Sequence, residues 1–259
     1  MILRRLSQSL KEQNWTAISI EFILLVSGVF LGIQVSNWNA DRVDANRGQA
    51  YLERIGDDLD ADLAAYQDRV NFWGGVSVYG AKGLAYAETG DAKGATQWDL
   101  LLAYFQSSQE AEYYATDATF EELKSAGELG LIKDARFRQA LAQYYSQAFN
   151  PALTERPRYR EHVRGVIPLE VQSYIWMQCY SSDASTQKML PCKSPLDEKQ
   201  TTVIVDAIRN DKVLMQELRY WMSTMQIAAI IGRDGITSAK SLRNNINAKH
   251  VGNAKEGAR

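Results

Sequence analysis

Residues 17–35 read AISIEFILLVSGVFLGIQV, a run of 19 in which only Glu21 and Gln34 are strongly polar. A helix crosses the hydrocarbon core of a bilayer with about 20 mostly apolar residues at 1.5 Å rise each. Trp15 and Trp38 bracket the run. Their spacing along a helix is roughly 34 Å, which places both indoles at the membrane–water boundary they prefer. The run predicts one transmembrane helix over 15–38. No other segment comes near it. Tyr220–Gly232, YWMSTMQIAAIIG, is only 13 residues long and reads as a core helix.

The apolar stretch is longer than the core of a removable signal peptide, and the following SNWNADRVDAN offers no small-residue cleavage pattern. An uncleaved signal anchor is expected. Before it, Ile2, Leu3, Leu6 and Leu10 share one helical face beside Arg4, Arg5 and Lys11. Residues 1–14 therefore read as a short amphipathic tail on the cytoplasmic leaflet.

Basic residues flank the span almost equally, with Arg4, Arg5 and Lys11 before it and Arg42, Arg47 and Arg54 after it. They leave the orientation to other evidence. Cys179 and Cys192 are the only cysteines and enclose a polar loop. An isolated pair at that spacing predicts one disulfide in an oxidising compartment, contributing roughly 3 kcal/mol by closing the loop. The expected topology is a cytoplasmic N-terminus, one span of the bacterial inner membrane and a periplasmic C-terminal domain.

At 100° per residue, Glu21, Leu25, Gly28, Gly32 and Ser36 fall on one stripe of the span. Small residues four apart let two helices approach closely, and an acid at bilayer depth normally faces protein or water. This stripe is the candidate contact face, with the protein itself or a larger membrane complex as partner.

Beyond the span the chain is poor in proline, with five in 259 residues, and rich in straight-chain helix formers. The fold class expected is all-α, the transmembrane helix continuing into an extramembrane helical bundle over 39–247, with a flexible tail at 248–259. Ile55, Leu59, Leu63, Tyr66 and Val70 recur at spacings of three and four. They predict that the helix continues to about Trp73, where Gly74-Gly75 interrupts it. Further helices are expected over 76–88, 96–108, 153–178 with a kink at Pro168, 195–209, 211–232 and 237–247. Thr119 with Glu122 reads as a capping box, Asp134 as the cap of the next helix, and Ser194-Pro195 as another helix start. Asp57, Asp58, Asp60 and Asp62 read as a solvated face.

Two segments, GIQVSNWNADR at 32–42 and TFEELKSAGELGLIKDARFRQALAQYY at 119–145, resemble a family of bacterial single-pass membrane proteins without an assigned activity. The resemblance implies the same topology: a short tail, a span with an early acid, and a helical outer domain. It covers the anchor and the first half of the chain.

Chemistry is sparse. The net charge of −2 argues against nucleic acid, which needs a basic face. No phosphate-binding glycine loop, HExxH or CxxC motif is present, and His162 sits in the basic run RPRYREHVRG, where it reads as solvated. No cofactor, metal ligand or catalytic residue is assigned. The expected role is a membrane-anchored accessory or scaffold protein. The alternatives are a periplasmic sensing or small-ligand module that signals through a membrane partner, and an unrecognised enzyme.

Overall fold

The computed structural model describes residues 15–148, 156–183 and 186–256, including side chains except those of 15–19, 21, 148 and 249–256. The protein is all-α, 79% helical with eight helices among the described residues. α1 spans Trp15–Thr89, α2 Gln97–Gln106, α3 Ala118–Ser125 and α4 Ala135–Ala148, with a 3₁₀ turn at Leu129–Leu131. α5 is Arg158–Val166 and α6 is Leu169–Gln178. A small hairpin of β1 (Tyr180–Ser182) and β2 (Gln187–Met189) follows, then α7 (Glu198–Asn210) and α8 (Lys212–Glu256).

α1 is the spine. Its 75 residues make a rod of roughly 110 Å. Residues 22 to 43 are exposed throughout, and the domain begins at Gly48, the first buried position. From there α8 runs antiparallel along α1. Arg243 pairs with Asp60 at 2.9 Å, Gly235 lies against Tyr66, Gly232 against Val70 and Trp73, and Arg219 pairs with Glu88 at 3.2 Å. Two of these approaches require glycine. A Cβ at Gly235 would lie 2.5 Å from the Tyr66 ring, and one at Gly232 would lie 2.6 Å from Val70.

The other helices close the core over this pair. α2 is buried along almost its whole length, and its Tyr104 hydroxyl donates to the Gly83 carbonyl of α1 at 3.0 Å. The chain then crosses the interior as Gln106-Ser107-Ser108-Gln109, all buried. Buried polar groups without partners are costly, so this stretch is held by donors from every side. Trp221 donates to the Ser107 carbonyl at 2.9 Å, Trp73 to the Ala111 carbonyl at 3.1 Å, and Gln106 to the Cys179 carbonyl at 3.2 Å. Cys179 and Cys192 are joined as a disulfide that fastens the hairpin to the end of α6.

Several local expectations are corrected. Gly74-Gly75 does not interrupt α1, which continues to Thr89. Two glycines cost a helix about 2 kcal/mol, and burying Phe72, Trp73 and Val76 around them recovers more than that. The expected capping box of Thr119 and Glu122 does not form. Thr119 lies inside α3, its N–H donates to Asp58 of α1 at 3.3 Å, and Glu122 turns to Arg54. Ser194-Pro195 does not start α7. Asp197 caps it, in a reciprocal box with Gln200, while Ser194 closes a turn on Leu196. Of the expected 153–178 helix, 153–155 lie outside the described residues and the remainder forms two helices divided at Pro168, whereas the expected 211–232 and 237–247 helices are one continuous α8. Asp134 does cap α4, accepting the Phe137 N–H at 3.1 Å. The tail at 1–14 and the last three positions, 257–259, lie outside the described residues, and α8 itself runs on through 248–256.

Replacing Gly235 with isoleucine is expected to destabilise the domain by about 2 kcal/mol or more despite improving helix propensity, because the Tyr66 ring has nowhere to go. A urea-unfolding midpoint equal to or above that of the wild type would refute the close α1–α8 packing.

Candidate functional site

The most unusual surface is the bare end of α1. The helix is long and apolar enough to cross a membrane, and none of that apolar window is buried. Leu25 is 67% exposed and Trp38 is 65% exposed, values expected of solvated polar side chains and not of leucine and tryptophan in water. Gly28, Gly32 and Ser36 lie on the same helix, exposed, and added Cβ atoms on the two glycines would meet nothing within 4 Å. The helix brings Leu25, Gly28, Gly32 and Ser36 onto one stripe, leaving it free for contact. Trp15 and Glu21 are on this helix, but their side chains lie outside the described set. The Arg42 guanidinium stacks 6.0 Å from the Trp38 ring centre, so a cation and an indole share the exit of the apolar segment.

A collar grips α1 where the domain starts. Arg47 pairs with Glu128, Tyr51 donates to Glu128 at 3.0 Å, and Arg54 donates to Glu122 at 3.1 Å. Gly48 meets the Leu131 backbone so closely that a Cβ would lie 2.7 Å from its carbonyl oxygen. The collar is built from residues 119–131, the segment that sequence analysis singled out by resemblance. Its glutamates and its backbone serve the α1 contact. About 15 Å of uncovered helix separates Trp38 from Gly48.

Deeper in the domain, Asp62 is fully buried. It accepts the Thr116 N–H at 2.7 Å and the Tyr144 hydroxyl at 2.7 Å, with Tyr66 and Tyr113 stacked beside it at 3.8 Å between centroids. Burial pushes its carboxyl above the ordinary 3.8, against the pull of those donors, and pushes the neighbouring Tyr144 hydroxyl up as well. The solvated-face reading of the acidic run is therefore corrected for Asp62. Its position three residues after Leu59 and four before Tyr66 puts it on the buried stripe, which is the signal that would have found it.

The basic run on α5 is also corrected. Arg164 is half-buried, 4.9 Å from the Phe105 ring centre and 5.1 Å from that of Trp176, and it donates to Ser108 and Gln109. Desolvation and the neighbouring Arg160 charge lower its guanidinium to about 10. Arg160 donates to the Ser108 carbonyl and pairs with Glu110 at 3.4 Å. His162 is partly exposed and not free in solvent. Its Nδ1 is 3.0 Å from Glu217 and its Nε2 is 3.3 Å from Asp211, so both ring nitrogens are engaged by carboxylates.

Among the described residues no group of three His, Cys, Asp or Glu could hold a metal ion. A cleft of about 700 Å³ runs between the start of α2 and the chain after Cys192, lined by Trp98, Lys193 and Ser194 among others. A second, of about 500 Å³, lies at the start of α5 beside Tyr220. Both are open and of mixed polarity, unlike the enclosed apolar pockets that hold small ligands. Comparison with protein-family models, with curated proteins and with solved structures finds no match.

Asp62 makes a pH-dependent contribution with a definite sign. In the unfolded chain the carboxyl ionises near 3.8, and in the fold it does so at higher pH. Its contribution is complete below 3.8, where both states are neutral, and is lost as pH rises through the folded value. The stability of the wild type relative to Asp62→Asn is expected to fall as pH rises from about 3.5 to 7. A difference in urea midpoint that stays flat over that range would contradict a buried, desolvated carboxyl.

Proposed function

We propose that the protein is a membrane-anchored helical accessory or scaffold protein, acting through helix–helix contacts in the bilayer and an interaction surface on its outer domain. The observation that carries this reading is the bare apolar end of α1, which no other described part of the chain covers. Exposed in water, side chains such as Phe22, Leu24, Leu25, Phe30 and Leu31 would each forgo about 1.5–3 kcal/mol of burial. Dissolved in lipid they lose nothing, and the backbone is already satisfied within the helix. The stripe of Leu25, Gly28, Gly32 and Ser36, with Glu21 on the same helical face, is the contact surface.

The disulfide supports an oxidising compartment for the domain, hence a periplasmic placement with the N-terminus in the cytoplasm of a bacterial cell. The resemblance of 32–42 and 119–145 to bacterial single-pass proteins points the same way. The sensing alternative has less support, since the two clefts described above are open and of mixed polarity.

Membranes washed with alkaline carbonate are expected to retain the protein, and mild detergent is expected to extract it together with a second copy or a larger membrane protein. Gly28→Ile should leave carbonate retention intact and weaken that co-extraction. Release of the wild type into the carbonate supernatant refutes the anchor, and unchanged co-extraction of the variant refutes the glycine face.

A further inference from the structure

The run RPRYREHVRG at 156–165 carries four arginines, and the fold uses them unequally. Arg160 and Arg164 turn inward to Ser108, Gln109 and Glu110. Arg156 and Arg158 stay exposed, and no acid among the described residues pairs with either. Both line the cleft of about 500 Å³ at the start of α5, together with Gln216, Glu217 and Tyr220 of α8. Glu217 faces His162, its Oε2 3.0 Å from Nδ1, and its side chain is 23% exposed. Gln216 is exposed, and Tyr220 is 64% exposed. The accessible part of the cleft therefore presents two cations, an amide and an aromatic ring.

The position of the cleft along the molecule follows from α8. Arg219, between Gln216 and Tyr220 in sequence, pairs with Glu88 at 3.2 Å, one residue before α1 ends. From Trp38 to Glu88 the continuous helix rises roughly 75 Å. The cleft thus lies at the end of the domain remote from the apolar segment.

We propose that this cleft docks an acidic segment of a partner protein, whose carboxylates meet Arg156 and Arg158. The inference rests on the accessory reading above and makes its outer interaction surface specific. Guanidinium forks match carboxylates in geometry as well as charge, and clusters of arginine recognise acidic motifs in this way. A neighbouring side chain of the segment packs on the Tyr220 ring, and the Gln216 amide pairs with its backbone. The volume favours a length of chain over a single ion, since one water takes about 30 Å³. With an anchor in the bilayer so far below, the headgroups of that membrane are not the anion.

The test is fluorescence anisotropy of full-length protein in mild detergent with a fluorescein-labelled peptide, Glu-Glu-Phe-Asp-Glu. Binding is expected, and it should weaken as salt rises from about 0.05 to 0.5 M. The amide counterpart, Gln-Gln-Phe-Asn-Gln, should not bind. Arg156→Gln with Arg158→Gln is expected to lower the affinity about tenfold or more without moving the melting temperature. Tyr220→Ala should lower it about threefold or more. Lys199→Gln with Lys240→Gln removes the same charge from exposed positions outside the cleft and should change nothing. No binding by the wild type, equal binding of the amide peptide, or an equal loss in the lysine variant overturns the docking site. Arginine-dependent retention on peptidoglycan sacculi without peptide binding overturns the partner protein in favour of the cell wall. Wild-type protein released from membranes by carbonate overturns the anchor alone.

Discussion

The close antiparallel packing of α8 on α1 is the contact from which the rest of the domain is built. It depends on Gly232 and Gly235, which let Tyr66, Val70 and Trp73 sit against the α8 backbone. Without that approach α1 would be a single rod with an apolar stripe and nothing to cover it. With it, α1 and α8 form a two-helix frame, and α2, α4, α5 and α7 fill the remaining sides. The same α1 then leaves the frame below Gly48 with no other described part of the chain beside it. One helix thus has two surroundings: a packed domain beyond Gly48, and an uncovered surface before it.

Fastening such a rod to its domain asks for more than apolar burial near the junction, and the collar provides it. Arg47, Tyr51 and Arg54 project from successive turns of α1 to Glu122 and Glu128, and Gly48 admits the Leu131 backbone. Further up, Asp58 accepts from the start of α3, and Asp62 ties the 111–117 segment and α4 to the rod. Polar groups of α1 thus serve as anchoring points for irregular chain. The Arg47 and Arg54 pairs are exposed and add little net stability, so they orient the collar, whereas losing a donor to the buried Asp62 would leave its carboxylate under-satisfied.

Much of this architecture was legible in the sequence. The apolar run, the all-α class, the disulfide pair and the Asp134 cap follow from local rules that tertiary packing does not overturn. Several failures share one cause, a long-range partner that outweighed a local signal, whereas at the start of α7 one local signal, the Asp197–Gln200 box, displaced another. Gly74-Gly75 reads as a break until Phe72 and Trp73 are seen to be buried around it. Thr119 and Glu122 have capping-box spacing, but Asp58 and Arg54 of α1 compete for them. His162 and Arg164 look solvated within a basic run until Glu217, Asp211, Phe105 and Trp176 arrive from other helices. Leu25, Gly28, Gly32 and Ser36 are exposed because no distant described part of the chain reaches them.

Under the proposed reading, α1 holds the domain clear of the bilayer on a short uncovered stalk. Everything then turns on what surrounds residues 22–38. Spin labels placed singly along α1 from Phe22 to Asn46 report this directly, through collision with oxygen, which partitions into lipid, and with a water-soluble nickel complex. Labels from Phe22 to Val35 are expected to favour oxygen, deepest near Gly28, and those from Val43 to Asn46 to favour nickel, with the crossover near Trp38. Nickel access at Leu25 and Phe30 equal to that at Val43 would contradict a lipid-dissolved helix.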